Sequence, residues 1–197
     1  MAEYLIQGET LKAIADVIRE KVGNEKTLSV SDIKNAITEM TVNEQLLKRY
    51  TLKSFIVPEG TNAIPQYFFD NCQNLTTLTL PDTITRIETN AFYACYRLEL
   101  RVLPTSLITI GARAFASCGS LSIAEIPQGV TSIDSLAFGG CTGITQITFK
   151  GTPSKIAALA FDMCANLTVI NVPWAEGEVE WAPWGATNAT INYNYKE

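Results

Sequence analysis

The sequence predicts an α/β solenoid of five 23-residue repeats, and three observations predict it. The first is the spacing of the cysteines. Cys72, Cys95, Cys118, Cys141 and Cys164 follow one another at a constant interval of 23 residues (95−72, 118−95, 141−118, 164−141). The second is a set of columns in register with them. Three places before each cysteine stand Phe69, Phe92, Phe115, Phe138 and Phe161, and eight before stand Ile64, Ile87, Ile110, Ile133 and Ile156. Three places after stand Leu75, Leu98, Leu121, Ile144 and Leu167, and eight after stand Leu80, Leu103, Ile126, Phe149 and Val172. The third is the proline that follows, Pro81, Pro104, Pro127 and Pro173, with Lys150 in its place once. A fixed period of about 20–29 residues marks a leucine-rich-repeat solenoid, whose units bury their apolar faces only by stacking.

Each repeat reads in the same order. Leu75-Thr76-Thr77-Leu78-Thr79-Leu80 ends in alternation, the pattern of a half-buried strand. The proline after it has no N–H to give a ladder and ends the strand. Ile84-Thr85-Arg86-Ile87, Leu107-Ile108-Thr109-Ile110 and Val130-Thr131-Ser132-Ile133 form a second short alternating piece. The Ala-Phe pair, as in Ala91-Phe92 and Ala114-Phe115, predicts one turn of helix that packs phenylalanine inward, and the cysteine closes the coil. Strands stacked about 4.8 Å apart give five coils a length of roughly 25 Å.

Ser132-Ile133-Asp134-Ser135-Leu136-Ala137-Phe138-Gly139-Gly140-Cys141 carries the pattern most fully. Over about residues 52–173 the chain resembles the BspA-like, or type 5, leucine-rich repeats. Such repeats occur in bacterial surface and adhesion proteins, in some protists and in prophage-encoded proteins. The resemblance implies recognition rather than catalysis.

Two departures from the pattern stand out. Arg101 occupies an inward place of its strand, with Leu100 and Val102 at the outward places. A buried unpaired charge is costly. Either a local bulge turns Arg101 outward, or the irregularity is a patch on a binding face. In the last repeat Lys150-Gly151-Thr152-Pro153 moves the proline and predicts a rearranged turn.

A solenoid needs covers at both ends. Residues 41–57 read as a degenerate capping repeat, with Leu46 in the Phe column, Arg49 in the Cys column and Val57 before Pro58. Residues 58–173 are then the solenoid proper and residues 174–197 a C-terminal cap. Residues 1–40 predict two short amphipathic helices. Leu11, Ile14, Ile18 and Val22 form the apolar face of the first, which Gly23 stops, and Ile33, Ile37 and Met40 mark the second. This face either packs on the solenoid or docks onto another protein or a second copy of the chain. The stretch Tyr4-Leu5-Ile6-Gln7-Gly8-Glu9-Thr10-Leu11-Lys12-Ala13-Ile14-Ala15-Asp16-Val17-Ile18-Arg19-Glu20-Lys21-Val22-Gly23, followed by Ser31-Asp32-Ile33 and Ala36-Ile37, resembles the start of many tail-associated proteins of bacteriophages and prophages. That resemblance implies an anchoring or assembly role. The cap holds Trp174, Trp181 and Trp184, which either cover the last coil or form an aromatic platform for sugars.

Composition narrows the function. A net charge of −5 without a basic cluster speaks against nucleic acid. No apolar run has a membrane-spanning length, and Met1–Gly8 lacks the features of a secretory signal, so synthesis in a bacterial cytoplasm is expected, with the virion as destination on the phage reading. The chain has no histidine, which removes the commonest general base and metal ligand, and no catalytic constellation is evident, so no enzyme activity and no cofactor are expected. One cysteine per coil makes a line of thiols, which cannot converge on a tetrahedral metal. Glu176, Glu178 and Glu180 read as a solvated run.

The outward strand positions form the candidate binding surface: Thr77 and Thr79, Leu100, Arg101 and Val102, Ile123 and Glu125, Gln146 and Thr148, Val169 and Asn171. The expected function is that of a non-enzymatic binding or structural protein. It would be a phage or prophage tail component, attached to tail proteins or to itself by the helices and presenting the solenoid to a host protein or glycan. The alternative is a bacterial adhesion or protein-interaction module without a virion role.

Overall fold

In a computed structural model the chain divides into two compact units, Met1–Leu47 and Lys48–Glu197, and the structure describes residues 52–196. The expected helical segment, its face of Leu11, Ile14, Ile18 and Val22, and the first part of the capping repeat lie outside the described residues.

The described residues form a succession of short parallel strands in two rows. One row holds β1 (Ser54–Ile56), β3 (Thr77–Thr79), β6 (Glu125–Ile126), β8 (Gln146–Phe149), β10 (Val169–Asn171) and β11 (Thr190–Asn192). The other holds β2 (Ala63–Ile64), β4 (Arg86–Ile87), β5 (Thr109–Ile110), β7 (Ser132–Ile133) and β9 (Lys155–Ile156). The second row is one unbroken five-stranded parallel sheet, whereas the first is split into β1-β3 and β11-β10-β8-β6. Its register is the sequence period: Ile87 pairs with Ile110, Ile110 with Ile133 and Ile133 with Ile156. The end of the capping repeat joins the stack, since Phe55 pairs with Leu78 and Val57 is buried.

The helical turn expected at Ala-Phe does not form, and no helix occurs among the described residues. The reason lies in the backbone donors. Along Asn90–Cys95, alternate N–H groups turn back within the coil, from Ala91 to Glu88 O, Tyr93 to Asn90 O and Cys95 to Phe92 O, each 3.2 Å. The others reach the next coil, from Asn90 to Ala112 O, Phe92 to Ala114 O and Ala94 to Ala116 O, at 2.8–3.0 Å. A helix would spend all of these donors within the segment. Asn90 and Ala94 have positive φ, as do Arg113 and Ser117 one coil on, and each left-handed residue interrupts a helical turn. The described part is therefore a β-solenoid with tight turns.

The core is a set of columns. Phe69, Phe92, Phe115, Phe138 and Phe161 stack with ring centroids 5.1–5.5 Å apart and planes within 7° of parallel. Coil spacing imposes this face-to-face geometry, which free aromatic pairs do not prefer. The proline after each first strand starts the next turn: Pro81, Pro104 and Pro127 accept from the N–H of Ile84, Leu107 and Val130 at 3.1–3.2 Å. Where Pro is displaced, Gly151 passes so close to the preceding coil that a Cβ would lie 2.3 Å from Gln128 O. The turn at 150–153 is thus rearranged around a glycine that admits no side chain.

At the C-terminal end the phenylalanine stack stops and a different cluster closes it. Trp174 and Trp184 are buried against Phe149, with centroids at 5.2 and 5.9 Å. Gly185 (φ +87) lets this cap approach Asp162, whose Cα would sit 2.9 Å from a Cβ.

Candidate functional site

Regular coils carry inward residues three, six and eight places after the cysteine, as in Ile144, Ile147 and Phe149 or Leu167, Ile170 and Val172. The two coils after Cys95 and Cys118 do not. There the middle inward residue stands one place earlier, five after the cysteine, so that Leu98, Leu100 and Leu103, and Leu121, Ile123 and Ile126, are buried. Two consecutive residues then face solvent, Arg101-Val102 in one coil and Ala124-Glu125 in the next. An arginine at the inward place would be a buried unpaired charge, and an alanine would leave a void. The neighbouring Leu100 and Ile123 fill the core instead.

This slip breaks the first row of strands. Across the break between β3 and β6, Glu99 N–H donates to Thr76 O (2.9 Å) and Ser122 N–H to Leu100 O (3.1 Å), Ala124 O accepts from Thr148 N–H on the far side (2.8 Å), and Arg101, Val102 and Leu103 make no backbone hydrogen bond among the described residues. A hollow of about 770 Å³ opens there, lined by Arg101, Val102, Ala124, Glu125, Gln128 and Lys150 among others. Lys150 Nζ lies 3.1 Å from Glu125 Oε1. Val102 stands 73% exposed beside these charges. The site thus offers an exposed apolar side chain, a guanidinium, an ion pair and unpaired main-chain groups on one face.

The expected binding surface is corrected at four positions. Leu100 and Ile123 point into the core for the reason just given. Thr148 and Asn171 face out from the strand but are buried within a polar ladder, in which Asn171 Nδ2 donates to Thr148 Oγ1 (3.1 Å) and Asn192 Nδ2 to Asn171 Oδ1 (2.7 Å). Thr77, Thr79, Arg101, Val102, Glu125 and Gln146 are exposed and Val169 is half-buried. The aromatic platform also dissolves. Trp174 and Trp184 are interior residues, and Trp181 alone of the three is exposed, at 67%.

The five thiols are free and buried. Burial pushes those of Cys95, Cys118 and Cys141 well up and that of Cys164 up to about 11. A thiol held protonated in this way is a poor nucleophile and a poor metal ligand. Among the described residues no group of three or more His, Cys, Asp or Glu is placed to hold a metal ion, and no helix is long and apolar enough to cross a membrane.

A family model described as a BspA type leucine rich repeat region matches residues 31–174 in six copies. The chain belongs to the BspA-type leucine-rich-repeat family. The match takes in the degenerate repeat at 41–57 as well as the five coils marked by cysteine. Two solved structures are similar to this BspA-type chain. A leucine-rich repeat protein of T. pallidum is 32% identical with a TM-score of 0.55, over 62% of this chain and 59% of its own. A leucine-rich repeat protein of Bacteroides ovatus is 30% identical with a TM-score of 0.53, over 60% of this chain and 31% of its own. The chain therefore spans less than two thirds of either neighbour. No curated protein sequence matches it.

The slipped register had a signal in the sequence. Arg101 and Ala124 interrupt a column otherwise filled by Leu78, Ile147 and Ile170, and the residue before each, Leu100 or Ile123, is apolar where Thr77 and Gln146 are polar, although Val169 is apolar there too in a regular coil. Read together, the two coils show one apolar residue displaced by one place.

Proposed function

We propose that the chain is a non-enzymatic binding and structural protein whose contact surface is the slipped strand face at Arg101, Val102 and Glu125. The observation that supports this is the hollow beside those residues, where the ladder is interrupted and main-chain groups are unpaired. Exposed apolar and arginine side chains around a concave centre are the usual anchors of protein contacts. The partner is a host-surface protein or glycan.

On this proposal residues 1–40 attach the protein to a larger assembly, a phage or prophage tail, through Leu11, Ile14, Ile18 and Val22. The sequence likeness of that segment to tail-associated proteins supports the reading. Synthesis would be cytoplasmic, with release by lysis. The test is cosedimentation. The full chain should travel with purified tail particles, and a chain starting at Thr41 should fold but remain at the top of the gradient. A full chain that never accompanies particles would sink the tail assignment.

The BspA-type match favours a second reading, a bacterial adhesion or protein-interaction module without a virion role. Under it, the chain binds its partner equally well with or without residues 1–40 and in the absence of any particle.

A further inference from the structure

The second row of strands ends at β9, and nothing among the described residues continues it. Within the row each coil gives two carbonyls to the next. Ile108 and Ile110 accept from Thr131 and Asp134 at 2.8 and 2.9 Å, and Thr131 and Ile133 accept from Lys155 and Ala157 at 3.1 and 2.9 Å. One period later the acceptors are Ser154 and Ile156, and the donors due to meet them are Glu178 and Glu180. They do not meet. Glu178 N–H turns back to Ala175 O at 3.2 Å, and the carbonyls of Ser154 and Ile156 accept no hydrogen bond from the described residues.

What holds the cap away from the edge is the buried Trp184. Its indole Nε1–H donates to Glu180 O at 2.7 Å, which ties the 176–181 loop to the end cluster. A hollow of about 370 Å³ is left between the two segments, with Lys155, Ile156 and Ala157 on one wall and Val179, Glu180 and Trp181 on the other. Glu178 also lines it, and Glu176 and Glu180 line a second hollow that likewise includes Trp181. The cation on the rim, Lys155, is already paired with Asp134 Oδ1 at 2.8 Å. Among the described residues no ion pair offsets Glu176, Glu178 or Glu180, and the rim is negative beside an exposed indole.

We propose that the open edge of β9 is a docking site for an extended, lysine- or arginine-rich segment of a partner protein, which adds a strand to the five-stranded sheet. Its main-chain N–H groups would meet the carbonyls of Ser154 and Ile156 that the next coil leaves unmet, as in strand addition to other exposed sheet edges. Its basic side chains would meet Glu178 and Glu180, and one would lie over the face of Trp181. Strand donors at fixed spacing are what the edge lacks, and positive charge is what the rim lacks. This site is separate from the slipped face at Arg101 and stands or falls independently of it.

The test uses the full chain and short fluorescent peptides at low ionic strength. A peptide of alternating Lys and Thr should bind, with a change in Trp181 emission, and salt should weaken it. The same peptide N-methylated at alternate residues keeps its charge and loses its donors, and should bind about tenfold more weakly or worse. The double variant Glu178→Gln, Glu180→Gln and the single variant Trp181→Ala should each weaken binding of the unmodified peptide, and these exposed changes leave the fold intact. Equal binding of the methylated peptide, equal binding of a peptide with Glu in place of Lys, or no binding of the Lys peptide would each overturn the proposal.

Discussion

Cys118 donates its thiol hydrogen to the carbonyl oxygen of Phe92, 26 residues earlier in the chain, across 3.1 Å. Cys95, Cys141 and Cys164 make the same bond to Phe69, Phe115 and Phe138 at 3.0–3.1 Å. Each thiol therefore ties its coil to the one before while lying in the apolar column. A thiol-reactive dye should label few of the five cysteines in the folded protein and all of them in denaturant. Rapid labelling of most of them without denaturant would be incompatible with these bonds.

The same burial sets a pH dependence. The folded state holds the thiols protonated, with Cys164 raised from 9.0 to about 11 and Cys95, Cys118 and Cys141 raised strongly in the same direction. Below the unfolded value both states carry the proton and stability is indifferent to pH. Above it the unfolded chain releases protons that the folded chain keeps, so stability falls as pH rises, by about 1.4 kcal/mol per pH unit for each such thiol. Urea unfolding should be steeply pH-dependent above about pH 9, and Cys118→Ala should flatten that slope. A slope unchanged by the substitution would show that other groups cause it.

Phe115 is sandwiched between Phe92 and Phe138, and Phe115→Ala should destabilise by roughly 3–5 kcal/mol. Among the described residues Phe69 stacks on one phenylalanine, Phe92, and meets Phe55 and Phe68 edge-on at 5.2 and 4.7 Å. Phe69→Ala should cost less, since the end of a stack relaxes more easily than its middle. Equal losses in thermal unfolding would contradict this ordering.

Met163 has a φ of 57° and is 69% exposed, and the same place in the preceding coil is held by Gly140. The side chain packs little and its backbone is in the left-handed region, so Met163→Gly removes a strain of about 1 kcal/mol. The freedom that glycine gains in the unfolded chain offsets part of this, leaving a net stabilisation of about 0.5 kcal/mol. Met163→Val should instead destabilise, because a branched Cβ fits this region worst. Paired melting curves of the two variants decide the matter, and a valine variant at least as stable as the glycine one would refute it.

Much of this architecture was legible because it repeats. The Phe, Cys, Ile and Leu columns name the buried residues, and alternation at Leu78 and at Ile87 locates the two strands of a coil. Three features were hidden. Local pattern around Ala-Phe is compatible with a helical turn, and only the donors drawn off to the next coil prevent it. Burial of Thr148 and Asn171 depends on hydrogen bonds between side chains a full period apart, which a strand read alone does not reveal. Trp184 stands one period after Phe161, yet the stack ends in an edge-to-face cluster because the cap turns differently there.

Whether the 23-residue coil is the unit of folding is tested most directly by deletion. Removing residues 101–123 joins Leu100 to Ala124 and takes out one whole period, whereas removing residues 112–123 takes out about half of one. After the first deletion every column meets its neighbour again, so urea unfolding should remain a single cooperative transition with a smaller denaturant dependence, in proportion to the lost surface. The second deletion sets the Phe and Ile columns out of phase and should abolish the transition. If the whole-period deletion unfolds the protein as completely as the half-period one, the stack of interchangeable coils is wrong.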